Sequence, residues 1–404
     1  MKLASILAPC LAALLVGCGG PDQENIADRA MAEAAPSAEA AGVAATPRPA
    51  AAPAEFQQRI EAVARPFQGD VGIAVKDLKD GWAATWQGDK LFPQQSTMKI
   101  WMSVALLDAV DRGDIRLDEV VRITPPDLSV FNQPMVRPLV MKTGGLEASI
   151  ERLLDWSISK SDNAATDILM RRLGGGPAVQ AVLERKGVRG VQVGTEERVL
   201  QPRISGLEWR PEFIDNDLFE KARDRTPDAV RDAALEQYLR SPPDGATPVG
   251  TVNALEALAA GKLLSPQSTE LLLRVMSEGR AGAARLRAGL PEGWALSHKT
   301  GTGPDWRKTV AGYNDVGVLT APDGHAYAVA VYIGRTDRPV RERQIMIADV
   351  ARAVVEHWRA GQPPETAPPP PTPPVGAPPL PPLAPLADKP VMAQAGGAGA
   401  AKAP

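Results

Sequence analysis

Ser96-Thr97-Met98-Lys99 opens an amphipathic run, TMKIWMSVALLDAVDRG at 97–113, that is apolar at helical spacing. A serine and a lysine three residues apart at a helix start share one face of its first turn. A hydroxyl is a weak nucleophile at neutral pH, and a neighbouring neutral amine can take its proton. Burial or a second cation is what lowers a lysine pKa toward that task. The pair suits acyl transfer through a covalent ester. The spacing alone is weak evidence, because Ser157-Ile158-Ser159-Lys160 repeats it.

Two further polar triplets follow in order. Ser161-Asp162-Asn163 stands between a helix ending in SISK and one beginning AATD, where such residues also serve as ordinary helix caps. Lys299-Thr300-Gly301 lies at the end of the strand-like stretch 294–303, WALSHKTGTG. Lys142-Thr143-Gly144 has the same composition but precedes the Ser-Asp-Asn element. A helix start, a corner between helices and a strand, in that order, argue for one site. The loop 194–205, GTEERVLQPRIS, adds the adjacent Glu196 and Glu197. One of them activates a water, or both only keep a surface loop soluble. His298, His325 and His357 show no zinc-ligand spacing, so neither a metal nor another cofactor is expected. His298 alternates with Lys299 and is expected on the opposite face of its strand.

The elements that must position these groups are legible. VGIAVKDL (71–78) and WAATWQG (82–88) read as a hairpin around KDG. The middle of the chain is helical in SIERLLDWSI, AATDILMRRL, AVQAVLERKG, VNALEALAAGKL and STELLLRVMSEG. Strands return in TVAGYNDVGVLT and AYAVAVYIG, and IMIADVARAVVEHW closes as a helix. The expected fold is α/β of the α+β type. One antiparallel sheet is built from both ends of the domain and flanked by helices, with a mostly helical lobe inserted between its halves.

The ends read differently. Lys2 and the apolar LASILAPCLAALLVG are too short for a permanent membrane span and suit an export signal over 1–18. Leu15-Val16-Gly17-Cys18 is similar to the bacterial lipobox, which would lipidate Cys18; an ordinary secretory signal is the alternative. Either exports the protein to the periplasm, and Gly19 after the cysteine favours the outer membrane in a Gram-negative envelope. Cys10 is the only other cysteine, so the mature domain has no disulfide and relies on its core. About 300 residues suffice for that. Residues 19–55, rich in Ala and Pro, read as a tether, 56–360 as the catalytic domain, and 361–404 as a stiff Pro-rich tail. With 45 basic and 48 acidic residues there is no electrostatic case for nucleic acid.

The three motifs together resemble the penicillin-recognising serine hydrolases, and class A β-lactamases in particular. FPQQSTMK, ATPVGTVNALEALAAGKLLS, LPEGWALSHKTGTG and AGYNDVGVLTAPDG extend the likeness over most of 56–360. The resemblance implies that Ser96 attacks a lactam carbonyl while Lys99 and Ser161 move its proton. Asn163 would hold the substrate's amide side chain, and Lys299, Thr300 and Gly301 its carboxylate side. The N–H groups of Ser96 and Thr302 would form the oxyanion hole, and Phe131 would line the entrance. Glu197 falls on the family's water-activating glutamate, with Leu200 and Gln201 on its Leu and Asn. A monomer acting on a small β-lactam, tethered to the membrane by lipid, is the implied form.

The chain also departs from that pattern. Thr195 replaces the family's arginine, so Asp244 lacks its usual cation, with Arg198 and Arg203 as candidates. Roughly residues 205–240 are extra; WRPEF within them is similar to the class A glutamate segment and makes Glu208 and Glu212 rivals of Glu197. Arg335 or Arg338 is a candidate aid to carboxylate binding. A DD-peptidase-like hydrolase of peptidoglycan peptides and a penicillin sensor that stays acylated are the competing readings.

Overall fold

The structure, a computed structural model, describes residues 46–362. The signal, Cys18, most of the tether and nearly all of the Pro-rich tail lie outside the described residues.

The chain order is strand β1 (Ala50–Ala51), helix α1 (Ala54–Ala64) and the hairpin β2 (Val71–Asp77) and β3 (Trp82–Trp86). Helices α2 (Lys99–Asp111), α3 (Val136–Thr143), α4 (Ile150–Ser159), α5 (Asn163–Arg172) and α6 (Gly176–Arg185) follow. Then come α7 (Glu197–Ile204), α8 (Asn216–Arg225), α9 (Asp228–Arg240), α10 (Pro248–Ala259) and α11 (Pro266–Ser277). Strands β4 (Ala295–Thr302), β5 (Tyr313–Thr320) and β6 (Ala326–Ile333) and helix α12 (Val340–Ala360) complete the domain.

The six strands form one sheet in the order β1-β3-β2-β6-β5-β4. Its two halves meet where β2 and β6 pair antiparallel, Val71 opposite Ile333. Alternation along these strands sorts their side chains between two cores. Ile73, Val75, Val329 and Val331 pack with Phe56 of α1 and Val350 and Val354 of α12. Ala74, Ala328, Ala330 and Tyr332 face the helical lobe and its central helix α2. Small residues on that second face let helix α10 lie closely across β2 and β6. Buried from Lys99 through Ala109, α2 is not the amphipathic surface helix its sequence suggests. A helix enclosed on all sides holds its first turn more rigidly than one with a solvated face.

Two features differ from the sequence reading. Ala50 and Ala51, assigned to the tether, pair parallel with Trp82 and Ala83, the one parallel contact in the sheet. Pairing through backbone groups alone leaves no apolar pattern to read. The insertion is also not an appendage. It folds into a short 3-10 turn, α8 and α9, and buries Phe213, Phe219, Leu235 and Tyr238 against the domain. No helix among the described residues is long and apolar enough to cross a membrane.

Candidate active site

Ser96 lies in a 3-10 turn, Gln95–Met98, that runs directly into α2. The positive end of the helix backbone therefore faces Ser96. Gln95 enters the turn in a left-handed conformation, φ 52°. Gly301 on β4 allows the strand to pass this turn, since a Cβ there would meet the carbonyl oxygen of Gln94 at 2.4 Å.

Ser161 occupies the corner before α5, also left-handed at φ 55°. Asp162 pins that corner. One carboxylate oxygen caps α5 by accepting from the Ala165 N–H at 3.0 Å, and the other accepts from the N–H groups of Met135 and Val136. Non-glycine residues held at positive φ cost on the order of 1–3 kcal/mol and persist only where the surroundings enforce them.

The corner brings the motifs together. Lys99, with no exposed surface, donates from Nζ to the Ser161 carbonyl (3.0 Å), Ser161 Oγ (3.4 Å) and Asn163 Oδ1 (2.7 Å). Lys299 Nζ donates to the same Ser161 Oγ at 3.0 Å and to the Thr300 carbonyl at 2.9 Å. One hydroxyl thus joins the two lysine side chains. Burial holds the Lys299 amine well below the ordinary lysine range, and the nearby charges of Lys99 and Arg285 lower it further.

The adjacent glutamates separate. Glu197 begins α7 and is buried, while Glu196 pairs with Arg171 (2.8 Å) and Arg198 (2.9 Å). Asp167 of α5 accepts the N–H groups of Glu197 (2.6 Å) and Arg198 (3.0 Å), tying the start of α7 in place. Glu197 Oε2 accepts from Gln201 Nε2 at 2.9 Å. Its Oε1 stands 3.4 Å from Lys99 Nζ and receives no hydrogen bond. Of the rivals, Glu208 pairs with Arg203 and Glu212 with Arg210 on the exposed surface.

A cavity of about 350 Å³ takes in Ser96, Ser161, Glu197 and Gln201, and on its other side Thr300 and Thr302. Phe131 and Asn163 also line it. The Asn163 amide is committed to Lys99 through Oδ1 and to the Val130 carbonyl through Nδ2 (2.9 Å), so it positions the lysine. Lys299 and Gly301 lie just behind the lining. His298 bonds Asp315 at 2.7 Å, apart from the cavity, as strand alternation requires.

Arg285, a residue without any sequence signal, lines the cavity beside Thr300 and Thr302. Its buried guanidinium donates to the Gly301 carbonyl (2.9 Å), Thr302 Oγ1 (2.5 Å) and the Asn314 carbonyl (2.5 Å), over the Tyr313 ring. Arg335 and Arg338 instead pair with Glu236 and Glu342, away from the cavity. Asp244 has neither proposed arginine. It accepts from the Gln95 N–H (2.8 Å) and from the hydroxyl of Tyr238 in the insertion (3.1 Å).

Burial raises the carboxyls of Asp167 and Asp244 to about 7. A carboxyl whose pKa is raised by folding contributes stability that is full below its unfolded value near 4 and is lost as pH rises through 7, up to about 4 kcal/mol per group. Asp167→Asn, which cannot ionise, is expected to flatten the fall in unfolding midpoint between pH 5 and 8. Thermal melts across that range check it, and identical slopes for the two proteins would contradict it.

A sequence model described as the beta-lactamase enzyme family matches residues 55–358. Beta-lactamase VEB-1 of Pseudomonas aeruginosa is 24% identical over 294 residues, spanning 73% of this chain and 87% of that protein. The solved beta-lactamase from Chitinophaga pinensis superposes with a TM-score of 0.61 at 27% identity, over 75% of this chain and 99% of its own. An ancestral class A beta-lactamase gives 0.59 at 28% identity, over 75% and 99% respectively. With its fold, motifs and site geometry in agreement, the chain belongs to the beta-lactamase enzyme family.

Proposed function

We propose that the protein hydrolyses penicillin- and cephalosporin-type lactams through an ester on Ser96, released by a water that Glu197 activates. Ser96 Oγ attacks the lactam carbonyl, and the N–H groups of Ser96 and Thr302 stabilise the oxyanion, an effect worth about 3–4 kcal/mol per donor. The C–N bond breaks, and the serine proton reaches the leaving nitrogen by way of Lys99 and Ser161. Thr300, Thr302 and Arg285 supply donors and charge for the substrate carboxylate. Water then attacks the ester, gives its proton to Glu197, and restores the serine.

The observation that carries this reading is Glu197 Oε1, a buried carboxylate oxygen without a hydrogen bond, in the cavity that holds Ser96. The test is an intact-mass time course of the full-length protein with benzylpenicillin. The expected result is an adduct of one whole substrate, mapped to Ser96, with product in molar excess over protein. An adduct without turnover favours the peptidoglycan-hydrolase or sensor reading, and neither adduct nor product overturns the proposal. We also read the chain as an exported monomer anchored by lipid at Cys18. The mass of protein extracted from membranes, before substrate is added, tests the lipid.

A further inference from the structure

We propose that Tyr238, supplied by the insertion, is a positioning residue for deacylation: its hydroxyl sets the direction of a buried amide relay that ends at Glu197. This rests on the acyl-enzyme reading above and assigns a task to a segment outside the motifs.

The relay is read from donors and acceptors. The Tyr238 hydroxyl donates its single proton to Asp244 Oδ2 at 3.1 Å and can then only accept from Gln95. Gln95 Nε2 donates to it at 2.7 Å and to the Ala311 carbonyl at 3.1 Å. Both amide protons of Gln95 are thereby committed, which turns its Oε1 toward Gln201. Gln201 Nε2 donates to that oxygen at 3.1 Å and to Glu197 Oε2 at 2.9 Å. The Gln201 carbonyl oxygen is left as an acceptor, and Gln201 and Glu197 both line the cavity. Two acceptors side by side can take both protons of one water and leave its lone pair for the ester carbon. With the Gln95 amide reversed, its Nε2 would meet the Gln201 Nε2, and the pair would have to turn over together.

The surroundings suit such a task. Tyr238, Asp244, Gln95 and Gln201 are each no more than 5% exposed, so water does not compete for these bonds. Gln95 is held at positive φ immediately before the nucleophile, and its backbone N–H donates to the same Asp244 oxygen that Tyr238 reaches. A neutral hydroxyl thus stands where the family has a cation, and it controls amide direction as a cation would not.

Tyr238→Phe removes the hydroxyl and keeps the ring. In the full-length protein with benzylpenicillin, kcat is expected to fall roughly tenfold, as loss of one positioning interaction does. KM falls with it, kcat/KM stays within about twofold, and the Ser96 adduct accumulates in the mass spectrum. Leu235→Ala trims packing in the cluster that holds Tyr238 but removes no hydrogen bond of the relay; it lowers the melting temperature and leaves the adduct lifetime unchanged. Unchanged kcat in Tyr238→Phe overturns the proposal. So does a parallel fall of kcat and kcat/KM without adduct, which would mark the tyrosine as structural only. If the unaltered protein forms neither adduct nor product, the acyl-enzyme reading itself has failed, and the role assigned to Tyr238 falls with it.

Discussion

Glu197→Ala turns over penicillin about 10²- to 10⁴-fold more slowly than the unaltered protein, while still forming the Ser96 ester. The two steps separate because their groups are held by different elements. In the proposed mechanism acylation uses Ser96, Lys99 and Ser161, and Lys99 has three oxygen partners at Ser161 and Asn163 that do not depend on the glutamate. Deacylation needs a base in line with the ester, and Glu197 Oε1 is the cavity oxygen without a donor of its own. Removing the carboxylate also leaves Lys99 without its ion-pair partner, and breaking a buried pair typically costs about 3–5 kcal/mol. Glu197→Gln, which keeps the volume and the bond to Gln201 within reach, guards against a variant that fails for lack of stability. In both, intact-mass spectra should show an adduct lasting far longer than in the unaltered protein. Product release at the original rate would reduce Glu197 to a counter-ion for Lys99.

The side-chain chemistry of this site was legible because it sits in short motifs, each at an element boundary that the apolar pattern already marks. Lys99 and Lys299 both reach the Ser161 hydroxyl, and Ser96 lies in the turn that runs into Lys99; the resemblance, which puts Leu200 and Gln201 on the family's Leu and Asn, singled out Glu197 from Glu196. The sheet from both ends was legible for a similar reason: β2 and β6 are continuous apolar runs. What stayed hidden depends on distance in space. Arg285 lies in AGAARLRAGL, where nothing distinguishes it from Arg280 or Arg287. Its role exists only because β4 and β5 present carbonyls to it. The partner of Asp244 was sought among arginines because charge seeks charge, whereas this buried carboxyl, raised to about 7, takes a hydroxyl and one N–H on its Oδ2 in place of a cation. The helix 228–240 was recognisable, but no periodicity says that Tyr238 reaches a turn some 140 residues earlier, at Gln95.

Phe219→Ala lowers the unfolding midpoint by roughly 10 °C, since truncating a buried phenylalanine costs about 3–5 kcal/mol and a domain of this size loses about 2–4 °C per kcal/mol. Phe219 has no exposed surface and meets Phe131 edge-on at 5.1 Å and Phe213 at 5.2 Å. Arg223 lies 5.3 Å from the Phe131 ring and 5.8 Å from that of Phe219. Phe131 is held at φ 58°, a conformation that needs this support, and it forms one wall of the cavity. The opposite rim is gripped by the same insertion, where Arg231 covers Trp306 at 3.4 Å and Asp232 accepts from the Trp306 indole at 2.7 Å. The variant should therefore bind penicillin more weakly, raising KM, while kcat changes less than tenfold because α2, α5 and β4 hold the reacting groups independently. A surface appendage predicts the reverse: a melting shift near that of an ordinary exposed substitution, within about 0.5 kcal/mol, and no change in KM. Calorimetry and steady-state kinetics on the one variant decide between a wall and an ornament, because only a wall couples the stability of residues 205–240 to the width of the cavity.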